Sequence, residues 1–291
     1  MVSIRQGCYK KFKECVIIEA NQKKLIVTTS LGPRIIFYGK DDVNIFHEDD
    51  LDSIHVGGEF FDKNLPGLGI WHLYGGHRLW KAPEYMDTYY PDNKRVDFKI
   101  LKDNEVLFIS DKEITTGLRK SILIKMDDMG DVVVEQKIEN VDGKIQTPIA
   151  AWGITVLDKS AKVEIELPKE DTGFLPNKNV AYWSYTKIND ERINLSTEYL
   201  KIEQKGVSEP LKVGTYSLSG VEANVKGMSF SIKTDKIEGT YPDLNCNVEC
   251  YVKDYVEVEM LSPLQIVAKG ESLVHKEYWT LRWGEIWKRR Y

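Results

Sequence analysis

The run Trp71 to Glu84, WHLYGGHRLWKAPE, gathers two tryptophans, two histidines, a tyrosine and an arginine around a double glycine. Gly75 and Gly76 let the backbone turn sharply or come close to a partner, because neither carries a Cβ. Trp71 and Trp80 offer rigid faces that can stack on the apolar side of a pyranose; the alternative is two core tryptophans covering a loop. Arg78 presents a planar fork of donors suited to hydroxyls, a carboxylate or a phosphate, with Lys81 close by in sequence; the alternative is a surface ion pair. His72 and His77 are five positions apart. That spacing puts them on opposite faces of a strand. Joint metal binding would need the Gly-Gly turn to fold them together and a third ligand such as Glu59 or Asp62. No metal and no cofactor is expected. Hydrogen bonding or proton transfer by His77 fits an imidazole that titrates near neutrality.

A second cluster lies in the last third. Asp254 to Met260 reads DYVEVEM, and alternation puts Tyr255, Glu257 and Glu259 on one face with Val256, Val258 and Met260 on the other. The valine face is core. The two carboxylates line either a solvated surface or a cleft. Glu249 is a third acidic candidate, and HKEYW from His275 to Trp279 again mixes histidine, glutamate and aromatics. A carboxylate facing a proton donor is the machinery for opening a cyclic hemiacetal: one group takes the anomeric hydroxyl proton while the other protonates the ring oxygen.

These side chains need elements to hold them, and period-two alternation dominates the chain. Lys24 to Thr29, Val96 to Leu101, Glu105 to Ser110, Arg119 to Met126, Val132 to Ile138, Lys162 to Leu167 and Met228 to Lys233 all read as strands, as does Asp254 to Met260. Turn signals such as Met129-Gly130-Asp131, Asp142-Gly143 and Tyr241-Pro242-Asp243 separate them. No long segment keeps a helical stripe; Asp190 to Leu200 holds at most a short helix. Asp41 to Pro91 is not strand-like and reads as a long connection that carries the first cluster. The expected fold is all-β, a single large β-sandwich occupying residues 1–291 as one domain. No fixed repeat argues for a propeller.

The chain has 291 residues and a formal net charge of −5, so no global basic field invites nucleic acid. The basic tail at Lys288 to Arg290 reads as a solvated terminus. The four cysteines, Cys8, Cys15, Cys246 and Cys250, form no CxxC pair and read as buried free thiols in a reducing compartment rather than a zinc site. No signal pattern opens the chain and no apolar run reaches the length of a membrane span, so a cytoplasmic protein without a membrane partner is expected. Oligomeric state is not legible.

Together, YGGHRLWKAPE, VEVEMLSPL and KGESLVHKEYWTL resemble the galactose mutarotase-like superfamily, and within it a poorly characterised branch related to aldose 1-epimerases. The resemblance runs from about Leu31-Gly32-Pro33-Arg34 to Trp283. It implies a β-supersandwich with a sugar cleft on one sheet and a small-molecule carbohydrate as ligand. It places the catalytic base at Glu259, with Glu249 and Glu257 as alternatives, and matches Arg78 to a sugar-contacting arginine. Trp71, Trp80 and Trp152 would form the platform, with His72 and His275 as further substrate contacts. The chain departs from epimerases in the middle strand PIAAWGIT, where Trp152 or Gly153 stands in place of the acid histidine. Either His77 supplies the acid from the loop, or the protein binds sugar without turning it over.

Overall fold

Alternating apolar residues run through most of the chain. In the computed structural model, which describes residues 1–49 and 54–284, they form two large sheets. The basic tail at Lys288 to Arg290 lies outside the described residues. In chain order the elements begin with β1 (Ser3–Tyr9), β2 (Phe12–Ala20), β3 (Lys23–Thr28), β4 (Arg34–Lys40) and β5 (Val43–Asn44). Next come β6 (His55–Val56), α1 (Glu59–Asn64), β7 (Trp71–His72), β8 (Gly76–Ala82) and a 3-10 turn at Met86–Tyr89. The middle supplies β9 (Asp97–Lys102), β10 (Glu105–Ile109), β11 (Leu118–Met126), β12 (Val132–Asn140), β13 (Ala150–Leu157), β14 (Lys162–Glu166), β15 (Val180–Tyr182), β16 (Ile193–Leu195) and β17 (Tyr199–Glu203). The last third adds β18 (Leu211–Thr215), β19 (Val221–Val225), β20 (Met228–Thr234), α2 (Pro242–Asn245), β21 (Val248–Val252), β22 (Val256–Leu261) and β23 (Ser272–Trp283).

The first sheet runs β1-β2-β3-β4-β8-β13-β22-β21-β18-β15, with β5 paired to β4. The second runs β16-β17-β14-β19-β20-β23-β12-β11-β10-β9, and β6 and β7 make a separate small ribbon. The inner faces of the two large sheets share one apolar core. Val16, Leu25, Tyr38 and Val258 from the first pack with Ile122, Val134, Phe230 and Trp279 from the second. This is the all-β sandwich that the alternation predicts. β11 and β12 bury every second residue, as strands with one wet face must.

β8, β13 and β22 differ: all their residues are buried. Their outer face is covered by the segment from residue 54 to residue 91. Phe61 and Leu65, Trp71 and Leu73 pack there against Trp80, Trp152, Ile154 and Leu261, with Met86 and Tyr89 alongside. With both faces buried there is no solvent-facing polar half, so β13 reads as a mostly apolar run and β8 as a mixed polar and aromatic loop, not as alternating strands.

Two expectations are corrected. The segment 41–91 is not one connection, because its second half enters the middle of the first sheet as β8, between β4 and β13. Ile193–Leu195 lies in strand β16 instead of a helix, hydrogen-bonded to β17, since Ile193 and Leu195 pair with Ile202 and Leu200. Cys15, Cys246 and Cys250 are buried free thiols, while Cys8 is free but exposed.

Candidate functional site

The double glycine is required by its own surroundings. Gly75 and Gly76 have φ of 79° and 70°. A Cβ on Gly75 would fall 2.0 Å from the His47 carbonyl oxygen, and one on Gly76 would fall 2.1 Å from that of Ile35. Arg34, fully buried, pins the turn. Its Nη1 donates to the carbonyls of Leu73 (2.8 Å) and Gly75 (3.0 Å), and its Nη2 pairs with Asp92 at 2.7 Å. This turn sets the phase of β8. From Gly76 onward, side chains alternate between the sandwich interior and the covered outer face.

Arg78 and Trp80 take the outer face. Register places Arg78 opposite Ile154, Ile154 opposite Glu259, and Glu259 opposite Glu249, so one row crosses four strands. The next row sets Glu257 beside Tyr251 and Tyr251 beside Lys212. Arg78, Trp80, Trp152, Lys212, Glu257 and Glu259 line one cleft of about 220 Å³. Trp71, Tyr89, Tyr185, Tyr251 and Tyr255 complete most of its walls.

Inside the cleft the charges are arranged in two groups. The Arg78 guanidinium lies over the rings of Trp80 (4.5 Å) and Trp71 (5.4 Å), and its Nη2 donates to Glu257 Oε1 at 3.1 Å. Nε and Nη1 of Arg78, and Nε1 of Trp71, are buried without a hydrogen-bond partner among the described residues. Buried donors of this kind call for an acceptor. The second group centres on Lys212, whose ammonium pairs with Glu249 at 2.7 Å and Glu259 at 2.8 Å. It also sits 4.6 Å from the ring centroids of both Trp152 and Trp183. Trp152 Nε1 donates to Glu259 at 2.7 Å. This bond and that from Lys212 both end on Oε2 of Glu259, so Oε1 is the oxygen left for a ligand.

Burial opposes the charge on Lys212, but Glu259 and Glu249 outweigh it and hold the ammonium well above its ordinary range. Burial also drives Glu249 well above the usual carboxylate range, against the pull of Lys212. Glu257 is likewise raised by burial, with Arg78 and Lys212 opposing and Glu259 reinforcing the shift.

His77 does not reach the cleft. It occupies the opposite phase of β8 and points between the sheets, with Nδ1 2.9 Å from Thr155 Oγ1 and its ring edge-on to Trp279 at 4.9 Å. There it joins Gln136, His275 and Glu277, all buried. Gln136 and Trp279 donate to Glu277 at 2.6 and 2.7 Å, and His275 Nε2 lies 3.9 Å from the same carboxylate. Burial pushes Glu277 up to about 7, His77 down to about 3 and His275 down to about 4. His275 is thus also an interior residue, not a cleft residue. His72 stands on the β6–β7 ribbon, paired with His55 and ring to ring with it at 5.9 Å. Glu59 and Asp62 are exposed on α1, and Lys81 is committed to Asp87 at 2.8 Å.

Of the residues expected from sequence, the fold therefore brings Trp71, Arg78, Trp80, Trp152, Glu257 and Glu259 together at the cleft. Glu249 stands just behind Lys212, while His77 and His275 lie in the interior. Sequence reasoning missed Lys212. The only signal was a lone lysine in the apolar run LKVGT, two residues before Gly214, whose missing Cβ leaves room for Cys246 and Glu249.

No family model matches the chain, and no curated protein does either. Solved structures share its fold. A TPR-domain containing protein from Parabacteroides distasonis superposes with a TM-score of 0.62 at 14% identity, covering 92% of this chain and 47% of that one. The chain thus spans about half the length of that protein. A provisionally assigned mutarotase from Salmonella typhimurium gives 0.57 at 10% identity, covering 97% of this chain and 94% of that one. A galactose mutarotase-like protein from Clostridium acetobutylicum gives 0.55 at 11% identity, covering 97% and 99%. The chain has the galactose mutarotase-like fold. Among the described residues, no helix is long and apolar enough to cross a membrane.

Proposed function

We propose that the protein binds a small carbohydrate in the Arg78–Glu259 cleft and interconverts its anomers. The observation that carries this reading is the meeting, on one sheet face, of aromatic platforms, unpartnered buried donors and an oriented carboxylate. Trp80 and Trp152 line the cleft with indole rings against which a pyranose could pack. Nε and Nη1 of Arg78 and Nε1 of Trp71 would bind ring hydroxyls. Glu259, with Oε2 held by Trp152 and Lys212, would use Oε1 to take the proton of the anomeric hydroxyl. Fold neighbours described as mutarotase-like support the reading at the level of architecture.

Polarimetry of freshly dissolved α-D-glucose and α-D-galactose tests it. The protein should speed the approach to equilibrium, and Glu259→Gln should remove about 10²-fold or more of that rate without unfolding the chain. Neither acceleration nor calorimetric binding with any of a panel of aldoses would sink it.

A second reading, sugar binding without turnover, draws on one observation. Among the described residues lining the cleft there is no histidine. Of the two positions matched to the epimerase acid, Trp152 spends its polar tip on Glu259. Gly153 faces inward, where a Cβ would fall 2.0 Å from Glu277 Oε1. Calorimetric binding with no change in anomerisation rate would favour this reading.

A further inference from the structure

Anomer exchange needs a second proton carrier, and the cleft supplies one that is not a histidine. We infer that Glu257 is the general acid, donating to the ring oxygen while Glu259 takes the anomeric proton. This rests on the anomerisation reading above and identifies the missing partner in it.

Glu257 and Glu259 project from the same face of β22, two residues apart, so their backbones are separated by about 7 Å along the strand. Both line the cleft. A carboxyl pair at this separation can address two oxygens on one carbon, the hydroxyl and the ring oxygen of a hemiacetal. Their surroundings differ, and burial raises Glu257 above the usual carboxylate range. Glu259 accepts hydrogen bonds from the Lys212 ammonium and the Trp152 N–H. Glu257 faces a single charge-bearing donor, Arg78 from β8, at 3.1 Å. Its further titratable neighbours are Glu259 on its own strand, Tyr255 just before that strand, Tyr251 and Cys250 from β21, Lys212 from β18 and Tyr89 from the 3-10 turn. Arg78 contacts Oε1 of Glu257 and can do so whether or not the group is protonated, leaving Oε2 to carry the proton.

The other candidates are less suited. Tyr89 already donates its hydroxyl to Glu84 at 2.6 Å. Burial pushes Tyr251 up to about 12 and Tyr185 and Tyr255 higher still, so these phenols are weak donors at neutral pH. The Lys212 ammonium is held by two carboxylates and two indole faces.

The step balances without a further reactant. Glu259 takes the O1 proton as the C1–O1 bond gains double-bond character. The C1–O5 bond breaks, its electron pair goes to O5, and Glu257 protonates O5. After rotation about C1–C2 the two transfers reverse on the opposite face of the carbonyl, and both glutamates regain their starting states.

The test compares Glu257→Gln and Glu257→Asp with the wild-type protein, using polarimetry on α-D-glucose and α-D-galactose across pH and calorimetry for affinity. Glutamine keeps an oxygen for Arg78 but has no proton to give. The expected result is a fall in kcat of about 100-fold or more with affinity within about threefold. The wild-type profile should show a descending limb, shifted upward from the ordinary carboxylate range, that Glu257→Asp retains and Glu257→Gln loses. Wild-type anomerisation that vanishes in Glu259→Gln but survives in Glu257→Gln would overturn the assignment and leave the sugar reading standing. A wild-type rate with no descending limb would also overturn it, independently of how any variant folds. A wild-type protein that accelerates neither sugar would overturn both.

Discussion

Between Glu249 and Glu259 sits one ammonium, and both carboxylates depend on it. Lys212 is almost wholly buried, as are its two partners. Removing it while leaving them strands negative charge in a low-dielectric site, which costs about 3–5 kcal/mol. Lys212→Met should therefore lower the denaturant midpoint strongly, and adding Glu249→Gln should recover a large part of the loss. A single variant as stable as wild type would show that the trio is solvated. Glu259 was legible in advance because DYVEVEM alternates cleanly, with Glu249 a further acidic candidate. Lys212 was not, since a lysine in LKVGT looks like any solvated strand residue until β21 and β22 are laid beside it. His77 was misplaced for a related reason: imidazole suits both a proton donor and a satisfied interior group, and only the phase of β8 separates the two.

At the scale of elements, β8 and β13 form a wall one strand thick between two polar chambers. Arg78, Trp80, Trp152 and Ile154 face the cleft, while His77, Thr155 and the space over Gly153 face Glu277 and Gln136. Gly153 belongs to that wall because Glu277 Oε1 and Gln136 Nε2 occupy the place of a Cβ, at 2.0 and 2.7 Å. Gly153→Ala should cost about 1–3 kcal/mol in urea unfolding, since neither buried partner has anywhere to go. An unchanged midpoint would mean that the interior network can shift. Strands with a wet face, such as β11 and β12, announce themselves through alternation. β8 and β13 do not, because covering the outer face makes both phases buried. The segment that covers the site hid β8 and β13, but not β22, whose glutamates and valines still alternate.

At the scale of the whole molecule, the interior network sets how stability responds to pH. In the folded chain burial lifts Glu277 from 4.5 to about 7. Between those values the folded chain holds a proton that the unfolded chain has released, so stability falls as pH rises through the window, by on the order of 3 kcal/mol. His77 and His275 act oppositely. Lowered from 6.5 to about 3 and about 4, they stay neutral in the fold while the unfolded chain takes up protons, so stability falls as pH drops below 6.5. Because the two histidines outweigh the one glutamate below pH 6.5, thermal melts should show stability rising with pH more steeply between about pH 5 and about pH 7 in Glu277→Gln than in the wild type. A variant whose profile runs parallel to wild type would contradict this. The alternating placement on β8 also bears on how the chain finds its fold. Slippage of β8 by one position against β13 would carry the Arg78 guanidinium into hydrocarbon and turn His77 out among the indoles. A one-residue slip is therefore penalised by Arg78 and His77 themselves, so the side chains that shape the cleft and the interior network also disfavour that misaligned trap in the centre of the sheet.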